Sequence, residues 1–349
     1  MNRLRAAVLG TVFAAATVGA AHAETIRLNV SGLVSTHIHH TAFEREFFET
    51  LGERTGLDVQ VNFNPLDVIG VNMDDTVRMA GDGTFDIVMS TIGNVARDDT
   101  FLEGMDLMGV SPTLDDLREA VEAFREPLIE RAEQRLNVKV LAVWPFGQQH
   151  VFCKEPIDSL ADLSGKRVRS YTRTMSAVLE YVGATPVSMP FAEVYPSLQR
   201  GVVECAITSI TSANGGSWPE ITSHVLAIAL SNGVNAHFMN LDRWNALSPE
   251  AQDAFEAAFQ EAEQAFWDLT EAMYDDAMRC STGLEPCEYY NRFEMTRVDP
   301  TQADLDLLAE AVDAVVLEVW AEACSPRAEC VDTWNATVGA VRGYEMAAN

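Results

Sequence analysis

Arg169 ends the run Lys166-Arg167-Val168-Arg169 in a chain that sets 24 lysines and arginines against 52 acidic residues. A planar guanidinium presents paired N–H donors that match a carboxylate, and a dry cleft strengthens the pair. At a net charge of −28 an anion is repelled at long range, so a site for one must supply its positive charge locally. The residue alone leaves two readings open: a ligand clamp, or an ion pair with one of many surface acids. Arg173 is a second nearby cation, expected at a loop or helix start and solvated. His37, His39 and His40 form a His-x-His-His cluster, whose spacing suits either a metal site or a solvated helix start.

Signals for catalysis are missing. The chain carries no GxSxG elbow, no HExxH pair, no phosphate-binding GxxxxGK[ST] loop and no GxGxxG turn. Paired carboxylates are abundant only because acids are abundant. No catalytic residue is assigned, and no cofactor or metal is expected. So acidic a chain is also repelled by nucleic acid and anionic lipid.

Arg3 and Arg5 precede an apolar stretch over 6–18, and Ala21-His22-Ala23 offers small residues for cleavage. This reads as an export signal over 1–23, removed after Ala23. The apolar run is short for a bilayer span, and no later segment is long and apolar enough to cross one. Export implies an oxidising compartment, so the even cysteine count reads as disulfides. Sequence proximity favours Cys280 with Cys287 and Cys324 with Cys330, leaving Cys153 with Cys205 as the long-range bridge. Other connectivities stay open. A nucleophilic Cys153 is disfavoured in that setting.

Alternating strand and helix patterns must position these residues. Strands are expected over 25–30, 57–63, 85–89 and 138–144, with helices over 40–54, 73–79 and 111–136 between them. The pattern restarts after Pro145, with strands over 149–154, 166–170 and 204–210 and helices over 174–181 and 191–200. Ser248-Pro249 opens a long helix, Ser as N-cap and Pro at the first helical position. Phe255, Phe259, Ala262, Phe266, Leu269 and Met273 then recur at alternating spacings of four and three, one apolar face. Such a helix spans ~45 Å, enough to lie across two lobes. Two more helices follow, over 302–323 and 330–346. The fold class expected is α/β, with mostly parallel sheets in two lobes, a cleft between them and the long helix spanning both. Lobe 1 takes 24–147 with part of 225–260 returning to it. Lobe 2 takes 148–224, and the C-terminal helices over 261–349 pack across both.

Several short runs stand in order. They are Lys154-Glu155-Pro156-Ile157, then Asp162-Leu163-Ser164-Gly165-Lys166-Arg167-Val168-Arg169, then Gly183-Ala184-Thr185-Pro186-Val187. Met189-Pro190-Phe191-Ala192-Glu193-Val194-Tyr195 and Leu198-Gln199-Arg200-Gly201-Val202-Val203-Glu204 complete the series. In these the chain resembles the DctP-type solute-binding subunit of tripartite ATP-independent periplasmic (TRAP) transporters. The resemblance extends over 24–345 and is weakest before residue 80.

The resemblance implies a periplasmic receptor that hands a small carboxylate to membrane permease subunits. Arg169 matches the arginine that makes a bidentate salt bridge to the ligand carboxylate. Phe191 matches the aromatic wall of the cleft. Thr208 falls where members often carry an Asn, and Gln149 where some carry a second Arg. Thr91 and Asn94 fall where sugar-acid binders carry Glu and Arg. These departures lower the charge of the site and argue against a dicarboxylate or sialic acid. Trp144, Phe146 and Trp218, at strand ends or in loops, read either as cleft walls or as core. Together they suggest a monocarboxylate with an apolar or aromatic body, such as a 2-oxo, 2-hydroxy or aromatic acid. A hinge is expected near 149–153 and 205–208, with a Cys153–Cys205 bridge stiffening it. The competing readings are a receptor of an ATP-driven importer, an exported organic-acid enzyme and a partner of a signalling receptor.

Overall fold

The computed structural model describes residues 25–347, and the signal segment expected over 1–23 lies outside them. The strands, in chain order, are β1 Ile26–Gly32, β2 Val59–Pro65, β3 Ile87–Thr91, β4 Val138–Pro145 and β5 Gln149–Cys153. They continue with β6 Arg167–Ser170, β7 Thr185–Ser188, β8 Cys205–Ser209, β9 His224–Leu226, β10 Val234–Asn240 and β11 Thr296–Val298. They form two sheets, one per lobe, ordered β2-β1-β3-β10-β4 and β11-β9-β5-β8-β6-β7.

The sheets are mostly parallel as expected, and each turns antiparallel at the strand next to a crossing. β10 runs antiparallel to both β3 and β4, and β5 runs antiparallel to both β8 and β9. The chain leaves the first sheet after β4, enters the second at β5, and returns from β9 to β10. These crossing segments pair with each other: Phe146 N–H donates to Gly233 O (2.8 Å), Gly147 N–H to Asn232 O (2.8 Å) and Gln149 N–H to Ser231 O (2.7 Å). Gly147 at φ 118° and Gly233 at φ 63° take conformations that a side chain disfavours. The lobes are thus joined by a two-stranded ribbon rather than by a flexible linker.

The helices follow from local chemistry. Leu114–Leu136 starts at a capping box between Thr113 and Asp116, three residues later than the expected start at 111. Arg173–Tyr181 starts where Thr172 Oγ1 accepts the Met175 N–H (3.1 Å). Phe191–Arg200 ends at Gly201, left-handed at φ 72°. The expected helix over 40–54 is divided into His40–Glu44, Arg45–Glu49 and Leu51–Thr55, and its first part is a wide turn that points His40 and Glu44 inward.

The long helix Pro249–Ser281 has 33 residues, roughly 50 Å by its rise per residue. Phe255, Phe259, Ala262 and Phe266 are buried as the spacing predicts, but Thr270 takes the buried place beside a half-buried Leu269. The helix also covers β4, an edge strand with unpaired backbone groups. Glu263 accepts the Val143 N–H (2.7 Å), and Trp267 Nε1 donates to Val143 O (3.0 Å). At its other end it packs against Ile210–Gly215 of the second lobe. Among the described residues no helix is long and apolar enough to cross a membrane.

Three disulfides join Cys153 to Cys205, Cys280 to Cys287 and Cys324 to Cys330, the connectivity that proximity favoured. Cys153 and Cys205 stand directly opposite each other on β5 and β8. The second sheet gains β11 from beyond the long helix, a strand of three residues too short to show a period.

Candidate functional site

Arg169 lies on β6, the interior of the second sheet, and only 4% of it is exposed. Arg169 is the next-to-last residue of this short strand, before Ser170 ends it. Its Nε donates to Met189 O (3.1 Å) and its Nη1 to Ile207 O (2.8 Å), which fix the guanidinium between β7 and β8. The ring of Tyr171 covers the guanidinium, 4.8 Å from centroid to Cζ. No ion pair joins Arg169 to a described carboxylate, whereas the other buried arginine, Arg131, is paired with Asp99 (2.5 Å). Burial depresses the Arg169 guanidinium to about 10, against the opposing attraction of Tyr171 and Asp74. It stays charged, and most of its five donor hydrogens have no protein acceptor.

The lobes meet in front of this group. Thr91, Ile92 and Gly93 at the end of β3, with Glu103, Asp106 and Met108, face Tyr171 and Thr172 across a cavity of about 20 Å³. That is room for a water-sized body, so the cleft is closed here. A Cβ on Gly93 would lie 2.8 Å from Thr172 Cγ2 and 3.3 Å from Tyr171 Cε2. The lobes therefore touch at a point where only a glycine fits. Glu103 adds a contact from the first lobe to the second: it accepts from Thr174 Oγ1 (2.6 Å), at the N-terminus of Arg173–Tyr181.

The other expected site residues divide into two groups. Gln149 is buried beside the cleft, accepting from Tyr171 Oη (3.1 Å) and donating to Gly147 O (2.6 Å). Thr91 lines the cavity and donates to Asn235 Oδ1 (2.8 Å). Asn94 donates to Asp74, which also pairs with Arg97 (2.6 Å). Thr208 is buried at the centre of β8, next to Ile207, whose carbonyl holds Arg169. Trp144 and Trp218 stand fully buried in the two hydrophobic cores. Trp144 stacks on Phe266 of the long helix at 4.2 Å, and Trp218 on Phe191 at 5.3 Å. Phe191 is thus backed by Trp218, and Phe146 stacks on His37 at the crossing. Arg173 is exposed.

The histidine cluster is buried rather than solvated, and among the described residues no group of three or more His, Cys, Asp or Glu side chains could hold a metal ion. Instead it is divided between two buried hydrogen-bond chains. His37 joins Ser212 Oγ (3.2 Å) to His39 (3.0 Å), and His39 reaches Thr270 Oγ1 (2.7 Å) on the long helix. Burial depresses His37 to about 4, with the charge of Glu44 opposing and that of His40 adding, and holds His39 well below its ordinary range. His40 turns the other way, to Glu44 (3.1 Å), which also bonds His237 (3.3 Å). Burial opposes ionisation of Glu44, yet the hydrogen bonds with His237 and His40 keep its carboxyl below the usual range.

Tyr171, Gly93, Glu103 and Asp106 escaped the sequence reading. Tyr171 had a signal, since it stands two residues beyond Arg169 on the same strand end. The other three come from the opposite lobe, and no local spacing relates them to Arg169.

Comparison with known proteins follows the same lines. The profile of the bacterial extracellular solute-binding protein family 7 (DctP) matches residues 31–320. The 2,3-diketo-L-gulonate-binding periplasmic protein YiaO of Escherichia coli K12 is 24% identical over 220 residues, 62% of this chain and 67% of that one. The sialic acid-binding periplasmic protein SiaP of Vibrio cholerae is 22% identical over 324 residues, 91% of this chain and 94% of its own length. A TRAP periplasmic solute-binding protein of Desulfovibrio salexigens, solved with bound orotic acid, superposes with a TM-score of 0.80 at 17% identity. That match covers 91% of this chain and 100% of the other.

Proposed function

We propose, because the chain belongs to the bacterial extracellular solute-binding protein family 7, that it is the receptor of a TRAP transporter. In this reading it is exported to the periplasm, binds a small organic acid between its lobes and delivers it to the membrane permease. One observation carries the reading. Arg169 is a buried, charged guanidinium that no acid among the described residues pairs with, in a chain with more than twice as many acids as bases. A cation left without its counterion inside a protein calls for an anion from outside.

The acid enters the open cleft and its carboxylate meets the free donors of Arg169. Closure brings Thr91 to Gly93 against Tyr171 and Thr172, with the ribbon at Phe146–Gln149 and Ser231–Gly233 as hinge. Contacts made only in the closed form bias that equilibrium. A single buried guanidinium at the site favours a monocarboxylate, since a second carboxylate would meet Asp106 and Glu103 instead of a cation.

The test is a thermal-shift panel of small mono- and dicarboxylates, followed by calorimetry on those that raise the melting temperature. A monocarboxylate that binds wild type and loses its binding in Arg169→Met is the expected outcome. Binding that survives the substitution would remove Arg169 from the site.

A further inference from the structure

The walls of the cleft are not uniformly positive. Tyr171 has Arg169 behind its ring on the second lobe, while Glu103 and Asp106 of the first lobe line the cavity in front of it. The site therefore has a cationic end and an acidic end, with the phenol between them. The two acids are not equivalent. Glu103 is occupied by the Thr174 hydroxyl at 2.6 Å, a contact that closes the lobes. Asp106 makes only a long contact from the Asn232 N–H (3.4 Å) and one from the Gly233 N–H, both from the crossing ribbon. It has no cation, and a carboxylate offers about four lone-pair directions.

We propose, resting on the acid-binding reading above, that the ligand is a small carboxylate that also carries an N–H donor, with its carboxylate on Arg169 and its N–H on Asp106. A dicarboxylate would place its second charge against Asp106 and Glu103 and be repelled. A purely apolar body would strip water from Asp106 and return nothing. An N–H, charged or neutral, gives the Asp106 carboxylate a closer donor than its long contact from Asn232 and completes the dipole of the site. Burial pushes Asp106 up to about 7, against the N–H groups of Asn232 and Gly233 and with the charge of Glu103. A neighbouring donor would restore its ionised form.

Matched pairs test this without relying on a variant. L-proline is set against tetrahydrofuran-2-carboxylate, and L-pyroglutamate against 5-oxotetrahydrofuran-2-carboxylate, each pair exchanging a ring N–H for oxygen. Succinate is the dicarboxylate control. Calorimetry on the purified chain should show the N–H member of a pair binding about tenfold tighter or more, because a site built for a donor rejects the analogue lacking it. Asp106→Asn should bring that ratio within about threefold, because the amide donates to the ring oxygen of one member and still accepts from the N–H of the other. Equal binding of the two members, or tighter binding of succinate, with Arg169→Met abolishing either, overturns the inference and leaves the acid-binding reading standing. No binding by any acid of the thermal-shift panel, or binding indifferent to Arg169→Met, overturns both.

Discussion

Replacing Arg169 by Met separates the stability of the fold from the capture of the ligand. Burial holds the guanidinium at about 10, well below its ordinary range. At roughly 1.4 kcal/mol per pKa unit, keeping it charged inside the ligand-free protein costs about 3 kcal/mol. The sign is that of a depressed base: the cost is fully present at neutral pH, where the group is charged in both states. Arg169→Met removes that cost and keeps most of the volume. Against it stand the donors lost to Met189 O and Ile207 O, about 1 kcal/mol each, and the stacking on Tyr171, about 0.5–1 kcal/mol. The two sides nearly cancel. Urea denaturation of the ligand-free variant should therefore give a stability within about 1 kcal/mol of wild type. Calorimetry should show a loss of about 2–5 kcal/mol in binding, some thirty- to several-thousand-fold. A ligand-free loss well above 2 kcal/mol would mean that the arginine is a structural element already satisfied by the protein, and the reasoning would fail.

Gly93→Val should hold the lobes apart, since even a Cβ there would press within 2.8 Å of Thr172 Cγ2. Circular dichroism should be unchanged while small-angle scattering with ligand keeps the open dimensions; full closure would refute the contact. Acidification from pH 6.5 to 4 should destabilise the protein. His37 and His150 are each depressed by burial to about 4 from 6.5, so their stabilisation is present above 6.5 and is lost across that window. Asp106, raised by burial to about 7, acts in the opposite sense and offsets one of the two. From these three groups the net loss is on the order of 3 kcal/mol, and His39, also held low by burial, adds to it; urea midpoints at stepped pH read it, and a rise in stability over the window would contradict it. Opening the Cys153–Cys205 bridge by the double replacement with Ala should cost roughly 4 kcal/mol for a loop of 52 residues. Unfolding with the other two bridges intact measures it, and a cost below about 1 kcal/mol would show that the strand pairing already constrains the loop.

What the sequence made legible has a physical pattern. Elements announced by chemistry within a few residues were readable: the Ser248-Pro249 start, the Phe255–Phe259–Phe266 face, the end of Phe191–Arg200 at Gly201 and the buried β3 run. Elements whose identity is set by a distant partner were not. β10 is buried along its whole length, and the antiparallel place it takes between β3 and β4 is fixed by the return of the chain from the second lobe. The same division runs through the site. Arg169 and Phe191 sit within motifs, whereas Gly93, Glu103 and Asp106 acquire their meaning only when the lobes meet. Trp144 and Trp218 had the composition of a cleft wall, but their neighbours Phe266 and Phe152 place them in the cores.

The histidines show why a cluster in sequence is a poor guide to a cluster in space. His39 and His40 are adjacent, yet the wide turn at His40–Glu44 sends one toward Thr270 and the other toward Glu44. Each ring satisfies a buried polar group, Thr270 of the long helix for His39 and Glu44 of its own turn for His40, so neither is free to ligate. Arg169 is the converse case. Its local partners are backbone carbonyls, which orient the side chain but cannot neutralise it, and among the described residues no acid forms an ion pair with it, Asp74 acting only from a distance. In a chain so rich in carboxylates, leaving one buried cation unpaired requires that the surrounding strands exclude every acid from reach. On the proposed reading, that arrangement keeps the place open for a carboxylate that arrives from solution.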